Sequence, residues 1–140
     1  MIQILFPNLS YKLTGLCFKV HNQLGRFARE KQYADLLETL LKENQIPHKR
    51  EYEITNLTQN IPKGNRVDFL IDNKILLDIK AKKFITKGDY NQMQRYLQAS
   101  GIELGLIVNF RNTYLKPKRV LNTKIYSDNS DVNSDYSDRF

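Results

Sequence analysis

Two aspartates and a lysine within residues 66–83, RVDFLIDNKILLDIKAKK, are the side chains of this sequence best placed to do chemistry. The stretch reads as two apolar runs, RVDFLI and ILLDIKA, joined by Asp72-Asn73-Lys74, which is a β-hairpin signal. With those three residues as the turn, Asp68 lies across from Asp78 and Arg66 across from Lys80. Period-2 alternation then gathers Arg66, Asp68, Leu70, Leu76, Asp78 and Lys80 on one face. Val67, Phe69, Ile71, Ile75, Leu77, Ile79 and Ala81 fall on the other. Opposed Cβ atoms in such a ladder are roughly 4.5–5.5 Å apart, and like charges so placed destabilise it. Two carboxylates facing each other on strands this apolar therefore ask for a cation between them. Hard divalent ions such as Mg²⁺ take one or two carboxylates together with water and phosphate. Lys80, one pleat further along the same face, can orient a water or neutralise charge developing on a phosphate. Ordinary cross-strand ion pairs on a half-exposed hairpin account for the same residues. A two-residue turn would slide the register by one and move Asp78 to the opposite face.

The remaining elements must hold that hairpin. Residues 1–9 read as an extended lead-in, after which Ser10 can cap a helix with Leu13, Leu16, Cys17, Val20 and Leu24 at helical spacing and Gly25 behind it. A second helix is expected from about residue 28 to 44, with a stripe of Tyr33, Leu36, Leu37, Leu40 and Leu41. Glu30 lies one turn before Tyr33 and shares its inward side, although an acid at a helix start is also favoured by the helix dipole alone. Residues 48–57 alternate as a strand, with His48 a surface residue at its start, and a loop over 59–65 leads to the hairpin. Beyond it, Lys82, Lys83 and Lys87 form a basic rim, joined by Arg66 and Arg95 as candidate contacts for a polyanion. Asp89 caps a third helix over 90–100, on which Gln92 and Tyr96 make a short i, i+4 row. LGLIVNF is the continuous apolar run of a strand buried on both faces, and its position after a helix suggests a parallel addition to the sheet. A last strand over 115–121 contains Pro117 and belongs at an edge.

Length and composition fit one α/β domain with one core, expected over residues 1–122 of the 140. Residues 123–140 form an acidic Asp/Ser/Asn-rich tail with little to bury, read as disordered. That tail carries a net −2, which leaves +9 of the chain's formal +7 on the body. A body so basic favours a polyanionic partner such as nucleic acid, while no apolar run of spanning length points to a membrane. Cys17 is the only cysteine, so neither a disulfide framework nor a thiolate metal site is available. With no basic leader at the N-terminus, an intracellular setting, cytoplasm or nucleoid, is expected.

The order helix, helix, strand, strand, strand, helix, strand, with an acid on the second strand and D-x-K on the third, resembles the PD-(D/E)xK nuclease superfamily. It is especially similar to the GxxExxY family. Over residues 11–121, Leu24-Gly25 ends the entry helix, Glu30 and Tyr33 match E-x-x-Y, and Arg66-Val67-Asp68 matches R-x-D. Asp78-Ile79-Lys80 matches E-x-K with Asp for Glu. Gln92 and Tyr96 match a Q-x-x-x-Y, and residues 105–110, GLIVNF, match the G-L-x-x-N-F strand. Phe27 stands where the name-giving glycine belongs. The resemblance implies a restriction-endonuclease-like core, a mixed central sheet flanked by helices. It also implies a Mg²⁺- or Mn²⁺-dependent deoxyribonuclease, with Asp68, Asp78 and the Ile79 carbonyl on the metal and Glu30 completing or supporting the site. Lys80 would act on the attacking water and the phosphate, with Gln92 and Tyr96 steadying it or the substrate strand. An inactive nucleic-acid-binding or scaffolding relative and a homodimeric junction-resolving endonuclease stand as alternatives.

Overall fold

The computed structural model describes residues 5–54 and 65–126. Their elements run α1 (Pro7–Leu24), α2 (Glu30–Glu43), β1 (His48–Glu53), β2 (Arg66–Ile71), β3 (Ile75–Lys80), α3 (Lys87–Ser100), β4 (Leu104–Asn109) and β5 (Lys118–Leu121). The strands form one mixed sheet in the order β1-β2-β3-β4-β5. Only β3 and β4 run parallel, because α3 carries the chain back across the sheet between them; the other neighbours are antiparallel. β4 is buried at all six positions, as an unbroken apolar run on an inner strand should be. The α/β class and the flanking helices agree with the expectation from sequence, and β5 takes an edge.

Two apolar layers result. α1 and α2 cover one face through Leu13, Val20, Tyr33 and Leu37 packed on Phe69, Ile71, Ile75, Leu77 and Ile79. Cys17 belongs to this layer, and burial pushes its thiol up to about 12, which leaves it inert. α3 covers the other face through Tyr90, Met93, Tyr96 and Leu97 on Leu70, Leu76 and Ile107. Gly105 on β4 is what lets α3 come close. A Cβ there would stand 2.6 Å from Met93 Sδ and 2.8 Å from its Cγ.

All three helix starts differ from the sequence expectation, and β5 begins at Lys118 rather than 115, which leaves Pro117 just outside it. α1 begins at Pro7, since proline's fixed φ and missing N–H suit the first helical position, and Ser10 is buried inside it with its Oγ accepting from Arg119. α2 begins at Glu30 rather than near 28; the Gln32 side chain accepts from the Arg29 N–H at its entry, 2.9 Å. α3 begins at Lys87, with Thr86 as N-cap and Asp89 in the third helical position, each side chain bonding the other's backbone N–H. His48 is also no surface residue: its ring bonds Glu38 at 3.0 Å and the Ile46 carbonyl at 2.9 Å. Residues 123–126, assigned to the tail from sequence, bond to the domain: Thr123 to Gln94 and Tyr126 to Glu103. The expected tail from 127 on, and most of the loop over 59–65, lie outside the described residues.

Candidate active site

The hairpin register matches the three-residue turn: Ile71 pairs with Ile75, Leu70 with Leu76 and Phe69 with Leu77. Asp72 and Asn73 both hold positive φ, which these two residue types tolerate, and Lys74 N donates to the Ile71 carbonyl at 2.9 Å. At Asp68 the ladder changes. No backbone pairing of β2 with β3 continues past Phe69; instead the Asp68 carboxylate accepts from the Ile79 N–H at 2.6 Å. The same point disturbs β1, where Glu51 takes a φ of 52° and breaks the run of pairs between Arg50↔Phe69 and Tyr52↔Val67. The strand therefore turns over at Asp68. Phe69 packs beneath α1 and α2, whereas Val67 joins the α3 layer, the reverse of the face that strict alternation assigns it. That kink aims the Asp68 side chain at β3.

Its carboxyl consequently lies in hydrogen-bonding reach of Asp78. Burial, the contact with Asp78 and the Asp78 charge together raise the Asp68 pKa well above the ordinary carboxylate range, with Glu30 adding to the repulsion. Two carboxyls sharing so small a space hold a proton between them or need a cation in its place. Asp78 is 8% exposed, fixed on β3 opposite Ile107 of β4. Lys80 turns back along the same face and pairs with Asp78 at 3.0 Å, with the Gln92 carbonyl oxygen accepting from its ammonium at 3.3 Å. Desolvation would lower the Lys80 pKa, but Asp78 and Asp89 outweigh it and hold it above the usual value. The lysine is thus a permanent cation and donor, not a base. Tyr96 is buried beside them; desolvation first and Asp78 second raise its phenol, so it stays neutral.

Glu30 approaches the same place from the start of α2, and with Arg66 and Asp68 it lines a cleft of about 340 Å³. Its position is set by Tyr33, three residues on, whose hydroxyl donates to the Gly25 carbonyl at 2.6 Å and accepts from the Ala28 N–H at 3.1 Å. The Tyr33 ring stacks on Phe110 at 4.3 Å. Gly25 ends α1 at a φ of 76°, a backbone that a side chain would strain. Glu30 itself is exposed, and among the described residues no group of three or more His, Cys, Asp or Glu forms a ready metal cluster. The donor set that fits a divalent ion is therefore the two aspartates with backbone and water oxygens, with Glu30 contributing charge from the cleft wall.

Of the basic residues singled out in the sequence, Lys83, Lys87 and Arg95 are exposed. Arg66 is shared with Glu51 at 3.6 Å and Glu53 at 3.9 Å, and Lys82 is held by Asp89 at 2.5 Å. Two participants were not visible from spacing. Asp89 looks like a capping residue but also lies 3.9 Å from Lys80, so it tethers both lysines that leave β3. Asn109, 3% exposed at the end of β4, donates to the Lys82 carbonyl at 2.7 Å and accepts from the Lys82 N–H at 3.1 Å. It clamps the chain immediately after Lys80. In sequence it shows only as the amide of the G-L-x-x-N-F match, with no role attached.

The family model of the PD-(D/E)XK nuclease superfamily matches residues 7–120. No curated protein and no solved structure matches the chain.

Proposed function

Because the chain belongs to the PD-(D/E)XK nuclease superfamily, we propose that it is a divalent-metal-dependent nuclease that hydrolyses phosphodiester bonds of DNA, on the pattern of the GxxExxY branch. The observation that supports this best is the Asp68–Asp78 pair, half-buried and buried respectively, with Lys80 ion-paired beside it on β3. Asp68 and Asp78 would hold Mg²⁺ or Mn²⁺, with the Ile79 carbonyl as a backbone ligand and Glu30 in support. Such an ion, when bound, supplies a nucleophile near neutral pH and a clamp for charge developing on the phosphate. Lys80, always protonated, donates to the water or the phosphate oxygen, and Gln92 keeps its ammonium aimed. Tyr96 walls the site with a neutral phenol. Arg66, Lys82, Lys83, Lys87 and Arg95 meet the phosphate backbone and position the strand without reading its bases. One domain carries all of this.

A nucleic-acid-binding protein without chemistry is the alternative, favoured by the lack of a third carboxylate closing on the pair among the described residues. Cleavage of single-stranded, duplex and branched DNA with Mg²⁺ or Mn²⁺ separates the two. The wild type is expected to cut at least one of them and to gain thermal stability from the ion. Lys80→Ala is expected to keep the metal-induced stabilisation and lose about 10²–10³ in kcat, the usual effect of removing one donor to a transition-state oxyanion. A wild type that cuts none of the substrates and gains no stability from either ion leaves the binding protein.

A further inference from the structure

Three large aromatic rings stand in the open at one corner of the molecule: Phe27 is 74% exposed, Phe84 75% and Tyr114 87%. They come from three separate segments and line one cleft of about 430 Å³ with Arg26, Lys83 and Arg111. The corner is built rather than incidental. Arg26 Nε donates to the Arg111 carbonyl and Arg111 Nε to the Arg26 carbonyl, both at 2.9 Å. Both guanidinium groups lie over the Phe27 ring, at 5.0 Å and 5.3 Å from its centroid. The loop after α1 and the loop after β4 are thereby locked together. Among the described residues none of Arg26, Lys83 and Arg111 forms an ion pair; Lys83 is exposed and the two arginines are half-buried.

The patch also continues the candidate active site. Lys83 follows Lys80 by three residues, which places their Cα atoms at most about 11 Å apart. Asn109 ties Lys82 to the start of the segment that carries Arg111 and Tyr114, and Phe110 N donates to the Lys80 carbonyl at 2.9 Å. Rings set among unpaired cations suit one kind of ligand. Unpaired bases stack on aromatic faces at about 1–3 kcal/mol per base by alanine substitution, whatever their sequence, while the cations track the phosphates. A paired duplex keeps its bases stacked on each other and offers those rings nothing.

We propose that Phe27, Phe84 and Tyr114, framed by Arg26, Lys83 and Arg111, form a stacking platform for unpaired nucleotides of the strand that enters the candidate active site. The platform makes single-stranded or frayed DNA the preferred substrate class. It rests on nucleic acid being the ligand, as proposed above.

The test uses the full chain in EDTA, so that binding is read without cleavage, against fluorescein-labelled oligo(dT) and a blunt duplex of equal length. Phe84→Ala/Tyr114→Ala is expected to weaken oligo(dT) binding by tenfold or more and duplex binding by less than twofold. The chain contains no tryptophan, so Phe84→Trp places a single reporter on the platform. Its fluorescence is expected to fall on adding oligo(dT) and to stay level with the duplex. Equal losses on both ligands, or unchanged affinity for oligo(dT), would overturn the platform. So would a double variant that binds as before but loses a dimer seen in the wild type's solution mass, since the patch would then seat a second copy. A wild type that binds oligo(dT) through Phe84 and Tyr114 yet cuts nothing keeps the platform and removes the nuclease. One that cuts while the double variant binds normally does the reverse.

Discussion

At the scale of single residues, the two aspartates are not equivalent, and the difference was hidden in the sequence. Two opposed carboxylates suggest that neutralising either one relieves the same repulsion. In the structure Asp78 also holds Lys80 at 3.0 Å, whereas Asp68 leans on the Ile79 N–H and on Asp78 itself. Asp68→Asn should therefore be the relieving change. Its amide oxygen can keep the Ile79 bond while its NH₂ donates to Asp78, with no need of the proton that the carboxyl pair holds. Without metal, the variant is expected to be more stable near neutral pH, because the raised Asp68 pKa means the wild type must take up a proton there on folding and an amide need not. It should also lose the stabilisation that Mg²⁺ or Mn²⁺ gives the wild type, along with cleavage. Asp78→Asn removes the partner of a half-buried ammonium and is expected to lower stability instead. Thermal melts of both variants in EDTA and in excess metal check the pair, and equal shifts for the two would contradict it.

Among the elements, what was legible in sequence is what local periodicity encodes. The three-residue turn set the β2–β3 register, the apolar run of β4 announced an inner strand, and the helix between β3 and β4 announced their parallel pairing. The kink at Asp68 was not legible, because it depends on Glu51 of the neighbouring strand adopting a positive φ that no spacing rule anticipates. Nor was the tether of β1 to α2, which joins residues that are far from chemistry in the chain. Arg50 pairs with Asp35 at 2.7 Å and Glu38 at 3.1 Å, and His48 bonds Glu38. Hydrogen bonds from Lys31 and Arg50 lower the Asp35 pKa. Burial alone would raise Glu38, but bonds from His48 and Arg50 outweigh it and lower that group too. Both folded-state values lie below the unfolded ones, so the native state binds fewer protons in acid. The contribution to stability is then complete above about pH 4 and is lost as pH falls through the depressed values. Arg50→Gln should flatten that acid limb of a stability–pH curve by lowering stability above about pH 4 and leaving it unchanged in strong acid, and the loss is expected to be modest because Asp35 is half-exposed. A limb as steep as the wild type's would show that the tether does not titrate as a unit.

For the molecule as a whole, the relevant quantity is the +9 carried by residues 1–122 and where that charge is free. Among the described residues no helix is long and apolar enough to cross a membrane, and a body this basic favours a polyanionic partner. If DNA is that partner, the logarithm of affinity should fall linearly with the logarithm of salt, by roughly 0.9 per phosphate neutralised on duplex. The basic rim does not contribute evenly to that slope. Lys82 already spends its charge on Asp89 at 2.5 Å, while Lys83 and Lys87 are exposed and make no ion pair among the described residues. Lys83→Ala/Lys87→Ala should reduce the slope by about 2 and weaken every duplex sequence alike, because phosphate contacts position without reading bases. Lys82→Ala should behave differently. It frees Asp89 beside Lys80, so its damage is expected in turnover more than in the salt slope. Anisotropy titrations over a tenfold range of salt, with duplexes of two unrelated sequences, measure the slopes directly. A wild-type affinity indifferent to salt would remove phosphate contact as the basis of binding, and equal slope changes for Lys82→Ala and Lys83→Ala would show that Asp89 does not hold its lysine when DNA is present.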